Sequence, residues 1–340
     1  MKKAPVMLLF FNRPECLKEV FETIKDYKPD VLFLVQDGPR NQNEIDIIKI
    51  NECRNIVSDE NIFWECKVYR NYSDVNLTCD HREYTGISWC FEYVDELIVL
   101  EDDCVPSQSF YHLCEECLDR YKDNTNIHSI YGFNRVGSYD CPYDYVFSTT
   151  GAGWGWATWK RVWNKVEELQ SLKILEDENG MNYFYRVADR EIFNQYGDFR
   201  QQGIKIKQTN SKLGIMTSWE FALGIVQIMN NMISITPRLN LIKYIGISEN
   251  ATHTESDPRL LSRKMQKLLL QPAYEMKEPF NHPPFIVRDT EFEIKSRKAW
   301  HQRRKIVNVE ALIRRALFMN PKDFLLYLKE KGKKYIIRRQ

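Results

Sequence analysis

The sequence predicts an α/β protein in which a doubly wound mixed sheet carries helices on both faces and is followed by a basic helical tail. Strand-like and helix-like segments alternate through the first half, which is typical of sheets built from βαβ units. Polar clusters follow three of the strand-like segments, and the composition becomes basic after Pro283-Pro284. These three observations predict both the fold class and the edge of the sheet that binds a ligand.

Short apolar runs predict buried strands in the first half, and apolar residues at helical spacing predict the helices between them. Pro14 suits the first turn of a helix, and Leu17, Val20 and Ile24 then share one face. In chain order we predict strand 6–11, helix 14–25, strand 31–35, helix 44–57, strand 63–69, helix 82–93, strand 97–100 and helix 107–121.

The second half is less regular and contains a stretch rich in glycine and tryptophan. Trp156, Trp159 and Trp163 recur at helical spacing, which predicts a helix whose tryptophans pack in the core. Trp154 lies between two glycines in a predicted loop and is either a ligand contact, because indole suits a sugar ring, or a core residue. A further helix is predicted from Ser218 to about Met229.

Polar side chains follow three predicted strands at the point where each strand ends. They are Asn12-Arg13, Gln36-Asp37-Gly38 and Glu101-Asp102-Asp103. Ligands of open α/β sheets bind outside the carboxyl ends of the strands, so we expect one crevice there. Neighbouring carboxylates repel one another unless a cation compensates them. The clusters together predict a nucleotide-type ligand, although any single cluster could be a turn.

No phosphate-binding glycine loop accompanies these clusters. The sequence contains neither GxxxxGK[ST] nor a GxGxxG between a strand and a helix. A diphosphate in this crevice would therefore be held by a metal ion and arginines.

Composition limits the partners and the compartment. The first 290 residues carry 33 Lys+Arg and 42 Asp+Glu, and this acidic body argues against nucleic-acid binding. Nine cysteines, an odd number, favour a reducing compartment, and Cys114 with Cys117 lacks the second pair of a zinc site. Asn12-Arg13-Pro14 follows the first apolar run in place of a cleavage site, and no stretch reaches about 18 apolar residues. We expect a cytoplasmic protein.

Five motifs, taken in order, resemble GT-A-fold glycosyltransferases of the N-acetylglucosaminyltransferase I type, and more closely their bacterial polysaccharide-assembly relatives. The resemblance covers roughly residues 4–255. The motifs are PVMLLFFNRP at 5–14, VQDG at 35–38, VLEDD at 99–103, GWGW at 153–156 and ATH at 251–253.

The resemblance implies a nucleotide-sugar donor, in particular a UDP-sugar, and Mn²⁺ or Mg²⁺. By this resemblance Asp103 and His253 lie at the metal, Asp102 lies beside the ribose or sugar of the donor, and Glu220 matches the inverting base. The family commonly has an aspartate where this chain has Glu220. The remaining implied donor contacts are Asn12, Arg13, Asp37 and Arg82, and Trp154 is added to the predicted site from its glycine-flanked loop.

The function predicted in this way is metal-dependent transfer of a sugar to a cell-surface glycan or lipid-linked acceptor. Residues 1–285 would form the GT-A catalytic domain, with 1–125 binding the nucleotide-sugar and 126–285 the acceptor. The alternatives are a nucleotidyltransferase, which usually carries a Gly-rich, Arg/Lys-containing loop after its first strand, and a noncatalytic glycan- or nucleotide-binding module.

Residues 286–340 are predicted to form a basic amphipathic helical tail. From Glu291 to Gln340 the chain carries 15 Lys+Arg and 5 Asp+Glu. Ile306, Val309, Ile313, Ala316 and Leu317 fall on one helical face, with arginines beside them. This pattern indicates either a helix on the anionic inner face of the plasma membrane or a tail packed on protein.

Overall fold

The computed structural model describes residues 3–171, 177–187, 219–247, 257–300, 304–325 and 327–328. Two sequence-predicted features, the metal-site residue His253 and the helix cap Ser218, lie outside the described residues.

Ten strands and ten α-helices lie within these ranges. The strands are β1 (Val6–Phe10), β2 (Val31–Gln36), β3 (Lys67–Tyr72), β4 (Glu96–Glu101), β5 (Cys104–Pro106), β6 (Ile127–Tyr131), β7 (Tyr145–Ser148), β8 (Trp156–Trp159), β9 (Ile233–Pro237) and β10 (Ile242–Tyr244). The helices are α1 (Pro14–Tyr27), α2 (Glu44–Ile56), α3 (Cys79–Cys90), α4 (Gln108–Tyr121), α5 (Lys160–Ser171), α6 (Glu178–Val187), α7 (Trp219–Met229), α8 (Arg263–Leu269), α9 (Thr290–Trp300) and α10 (Arg304–Phe318).

Eight strands form one mixed sheet in the order β3-β2-β1-β4-β8-β6-β9-β7. The first four are parallel, so their carboxyl ends share one edge, and β8 runs antiparallel to both β4 and β6. Helix α1 contacts α2 and α4, whereas α7 contacts α3 and α5. The predicted doubly wound mixed α/β fold is confirmed.

The first-half elements occur in the predicted order, with two shifts along the chain. The strand predicted at 63–69 is β3, three to four residues later, because Phe63 is exposed and the Trp64 indole donates to the Pro29 carbonyl at 3.0 Å outside the sheet. The helix predicted at 82–93 is α3, which begins three residues earlier and ends at Cys90.

The helix predicted from the tryptophan spacing is wrong for Trp156 and Trp159, which belong to β8, whereas Trp163 lies in α5. Their packing role is confirmed, since all three are buried. Trp156 stacks on Trp219 of α7 at 5.2 Å, while the Trp159 indole donates to the Leu118 carbonyl of α4. A strand covered on both faces buries both sets of side chains, so a spacing of three does not identify a helix there.

The chain beyond residue 285 continues to pack on the sheet as far as Trp300. Phe292 is buried, and the Glu293 carboxylate accepts hydrogen bonds from the Thr149 amide and hydroxyl at 2.7 and 2.9 Å. The division into a domain at 1–285 and a tail at 286–340 stays a prediction. Within the described ranges, no helix has both the length and the apolar composition needed to cross a membrane.

Gly155→Ala tests how tightly β8 is packed. Gly155 has φ +64°, and an added Cβ would lie 2.4 Å from Ile242 Cδ1. We expect the free energy of unfolding to fall by about 3 kcal/mol, because backbone strain and overpacking add. The measurement is urea denaturation.

Gly137→Ala is the matched control. Gly137 has φ +84°, but its added Cβ would meet only the flexible end of Gln271. We expect a loss of about 1 kcal/mol, from the backbone alone. Equal losses in the two variants would contradict the close packing of Gly155, the residue before β8, against Ile242 of β10.

Candidate functional site

The carboxyl ends of β1, β2 and β4 open into a cavity of about 280 Å³. Five predicted donor contacts line it, as does Glu101 at the end of β4. The five are Asn12, Arg13, Asp37, Arg82 and Asp102. The convergence of strand ends expected from the sequence is therefore present.

Arg13 joins the end of β1 to the two aspartates that follow β4. Its guanidinium donates to the Asp102 carboxylate through Nη2 and to Asp103 Oδ2 through Nη1, the latter at 2.8 Å. Both aspartates are buried, and the Phe11 amide also donates to Asp102 at 3.3 Å. The cation that the acidic cluster requires is thus supplied in this structure by the protein itself.

The ion pairs shift the ionisation of both partners. Burial works against the charged guanidinium, but attraction to Asp102 and Asp103 raises the pKa of Arg13. Burial raises the pKa of Asp102 to about 6, assisted by Asp103 and opposed by Arg13. Asp102 is therefore an acid that ionises close to neutral pH.

Asp37 and Arg82 form the side of the cavity beneath β2. Asp37 accepts hydrogen bonds from the Gly38 and Leu77 amides at 2.9 and 2.8 Å, and burial raises its pKa. Arg82 donates to the carbonyls of Gln36 and Asn71, and burial lowers its pKa. Both side chains line the cavity while bonded to the backbone, which fixes their position.

A second ion pair, not predicted from the sequence, borders the cavity beside α2 and joins a buried aspartate to an exposed arginine. Asp46 is buried and binds both Nε and Nη2 of Arg40, at 2.8 and 2.7 Å. Asn12 donates to the same carboxylate at 2.7 Å. The predicted contact Asn12 thus has its amide engaged by Asp46. The sequence signal for this ion pair is an aspartate in the first turn of α2. An aspartate is equally expected there without an ion pair, because it interacts favourably with the helix dipole.

Two glutamates that line the cavity, Glu83 and Glu101, interact electrostatically with a third, Glu220, which is not among the lining residues. Burial raises the pKa of Glu83 and of Glu101, and each is raised further by repulsion from the other acids, including Glu220 and Asp103. Glu220 therefore lies within electrostatic reach of the strand-end acids. The Glu220 side chain itself is exposed to solvent.

Glu220 is positioned by its neighbour Trp219 at the start of α7. The Trp219 indole N–H donates to the buried Glu83 carboxylate of α3, while its ring stacks on Trp156 of β8. Gly153 permits the close approach of the loop, since a Cβ there would lie 3.0 Å from Glu220 Oε1. Glu83 is not predicted from the sequence, because a carboxylate on a helix gives no distinctive signal.

Trp154 is not among the residues that line the cavity. It is partly buried among aromatic rings, with ring centres of Phe133 at 4.7 Å and Tyr244 at 5.2 Å. Tyr244 pairs with Cys104 across the β5–β10 ribbon, next to Asp103. The Tyr244 ring thus lies between Trp154 and the strand-end acids.

The described residues contain no group of three or more His, Cys, Asp or Glu side chains arranged to hold a metal ion. The oxygen donors present near Asp103 are nevertheless of the hard type that Mg²⁺ and Mn²⁺ prefer, and Mg²⁺ is commonly held by one or two carboxylates plus substrate phosphates. Cys104 Sγ lies 3.4 Å from Asp103 Oδ1, and Arg13 binds the other oxygen. One protein carboxylate with a bound diphosphate would fit this chemistry.

The sequence matches no protein-family model and no curated protein. Similar solved structures include HddC from Yersinia pseudotuberculosis complexed with GMP-PN, at 14% identity over 47% of this chain and 78% of that chain, TM-score 0.29. Another is 4-diphosphocytidyl-2C-methyl-D-erythritol synthase from Anaerococcus prevotii, at 10% identity, 49% and 77% coverage, TM-score 0.29. A third is apo UDP-glucose pyrophosphorylase, at 11% identity, 49% and 80% coverage, TM-score 0.31. Such low scores carry no argument about this chain.

Arg13→Leu should destabilise the protein in a pH-dependent way. The folded-state pKa of Asp102, about 6, is above its unfolded value, so ionising Asp102 costs folding free energy as pH rises through 6. Arg13 reduces that cost. We expect the variant to lose about 3 kcal/mol of unfolding free energy near pH 7, and less near pH 5, where Asp102 is largely protonated with or without Arg13.

Arg40→Leu provides the matched control, measured by urea denaturation at both pH values. Hydrogen bonds from Arg40 lower the pKa of Asp46, so this carboxylate stays ionised throughout the range. Its loss of stability should be the same at both pH values. A pH-independent loss for Arg13→Leu would contradict the assigned ionisation of Asp102.

Proposed function

We propose that this protein is a metal-dependent glycosyltransferase that takes a sugar from a nucleotide-sugar, in particular a UDP-sugar. One observation carries the proposal: Glu101, next to the buried pair Asp102-Asp103 at the strand ends, interacts electrostatically with both aspartates and with Glu220. Sugar transfer with inversion needs a site for the leaving diphosphate and a base on the opposite face of the sugar.

In this proposal the nucleoside and its phosphates occupy the strand-end cavity. Its volume of about 280 Å³ is close to the lower limit of small-molecule pockets, about 300 Å³. Asp37 and Asn12 would contact the nucleoside, Asp102 the ribose or sugar, and Arg82 a phosphate or the base. The exposed Arg40 guanidinium, 5.3 Å from the Phe11 ring centre, adds a cation at the mouth.

Asp103 is the residue proposed to hold the metal, with His253 as a second ligand. When bound, a divalent cation neutralises the negative charge that develops on the leaving diphosphate. Arg13, already paired with both aspartates, would remain beside the diphosphate and supply a second positive charge. Trp154 is separated from this centre by the Tyr244 ring. It would contact the sugar only if the aromatic cluster shifted.

Glu220 is the proposed general base. Its side chain is open to solvent, where an acceptor hydroxyl can reach it, and a carboxylate is a sufficient general base. In its ionised form it would remove the proton of an acceptor hydroxyl as that oxygen attacks the anomeric carbon. We propose a glycan or lipid-linked oligosaccharide as the acceptor.

Nucleotidyl transfer to a sugar phosphate is the competing proposal. Such enzymes usually have a Gly-rich, Arg/Lys-containing loop after the first strand. Here only Phe11, Asn12 and Arg13 separate β1 from α1, and Arg13 is engaged by two aspartates. This short connection favours glycosyl transfer.

Glu220→Gln should lower kcat by roughly 10²- to 10⁴-fold while leaving donor affinity unchanged, because the amide cannot accept the proton. The measurement is Mn²⁺-dependent release of nucleoside diphosphate from nucleotide-sugars, with affinity measured by calorimetry. Glu19→Gln is the control: Glu19 is an exposed glutamate that pairs with Lys243 at 3.4 Å. Unchanged turnover in Glu220→Gln would exclude Glu220 as the base.

The same samples distinguish the competing functions by ³¹P NMR. A glycosyltransferase releases nucleoside diphosphate from a nucleotide-sugar. A nucleotidyltransferase releases pyrophosphate from a nucleoside triphosphate and a sugar 1-phosphate. Pyrophosphate as the enzymatic product would overturn the proposal in favour of nucleotidyl transfer, and binding without either product would indicate a noncatalytic module.

A further inference from the structure

Helix α10 presents a row of aliphatic side chains to solvent. Val309, Ile313 and Leu317 are 58%, 54% and 69% exposed. Residues four apart lie above one another on the same side of a helix, so the three form a continuous stripe. We call these three residues the apolar stripe. A continuous row of exposed aliphatic groups marks an interaction surface more often than single exposed residues do.

The neighbouring side of α10 is held against the body of the protein. Glu310 Oε1 accepts the Arg263 amide N–H at 2.9 Å, and Arg314 Nη1 donates to the Arg259 carbonyl at 3.2 Å. The Arg259 guanidinium also lies 5.5 Å from the Phe318 ring centre. Glu310, Arg314 and Phe318 again have a spacing of four, and they are displaced by one residue from the apolar stripe. The helix is therefore docked through one side while the stripe remains open.

A second helical stretch, at residues 321–325 and 327–328, extends the apolar surface. Asn320 caps the start of this stretch, because its Oδ1 accepts the Lys322 amide N–H at 3.0 Å. The Arg315 guanidinium of α10 lies 4.7 Å from the Tyr327 ring centre. Leu325 and Leu328 are 59% and 39% exposed. Aliphatic groups thus remain open on both helical stretches.

The segment of the chain that contains the apolar stripe is predominantly basic in sequence. Between residues 304 and 328 the only acids are Glu310 and Asp323, and the first of these is engaged by Arg263 and Arg314. The bases of this segment are Arg304, Lys305, Arg314, Arg315 and Lys322. The sequence from 329 to 340 adds six further Lys and Arg and one Glu.

We propose that the apolar stripe docks on an anionic lipid surface. The aliphatic groups would enter the boundary between headgroups and acyl chains, while the basic side chains meet lipid phosphates. A second copy of this chain is a poorer occupant, because pairing of identical surfaces would bring these basic segments together. Docking of this kind places no requirement on the strand-end cavity, so its failure would leave the proposed enzymatic function intact.

Vesicle flotation of the full chain tests this surface. We expect binding to vesicles of phosphatidylcholine and phosphatidylglycerol in equal parts, weaker binding in high salt, and little binding to phosphatidylcholine alone. Ile313→Ser with Leu317→Ser should lower the partition coefficient about tenfold or more, because two aliphatic groups are lost from the buried face. Both positions are exposed, so the fold should persist, which thermal melting would verify.

Ile45→Ser with Ile48→Ser is the matched control. These isoleucines are 65% and 58% exposed on α2, where Glu44 and Asp46 lie beside them. Vesicle binding of this control should equal that of the unmodified chain. Absent binding to the anionic vesicles, or equal binding by the Ile313/Leu317 variant, would overturn the proposal. Dimerisation that this variant abolishes, without vesicle binding, would assign the surface to a second copy.

Discussion

The double ion pair of Arg13 with Asp102 and Asp103 is the interaction on which the strand-end cavity depends. It connects the residue before α1 to the two residues after β4, and so joins neighbouring parallel strands at the edge where the sheet opens. Without a cation at this point, two buried carboxylates adjacent in sequence would repel each other in a region of low dielectric. This double ion pair thus determines both the geometry of the cavity and the charge at the strand ends.

The two walls of the cavity compensate their acids by different means. On the side of β1, an arginine neutralises Asp102 and Asp103. On the side of α3, burial and repulsion from neighbouring acids raise the pKa values of Glu83 and Glu101. The acids at the strand ends are thus compensated by an arginine on one side and by raised carboxyl pKa values on the other.

Sequence patterns predicted the parallel half of the sheet well, because strands buried on both faces and helices with one apolar face leave distinct periodicities. They failed at Trp156 and Trp159, where a strand covered on both sides imitates helical spacing. They also brought Asn12, Arg13, Asp37 and Asp102 to one edge but did not reveal which groups pair. The contacts Arg13–Asp102 and Trp219–Glu83 join residues 89 and 136 positions apart, and local patterns carry no information on such pairs.

The central claim is that the acids at the strand ends bind a donor diphosphate together with a divalent cation. Calorimetric titration of UDP with and without Mn²⁺, on the unmodified chain and on Asp103→Asn, tests it most directly. The account predicts UDP binding that requires Mn²⁺ and is lost in Asp103→Asn, while the variant unfolds cooperatively like the parent. UDP binding of equal affinity without Mn²⁺, or in Asp103→Asn, would contradict it.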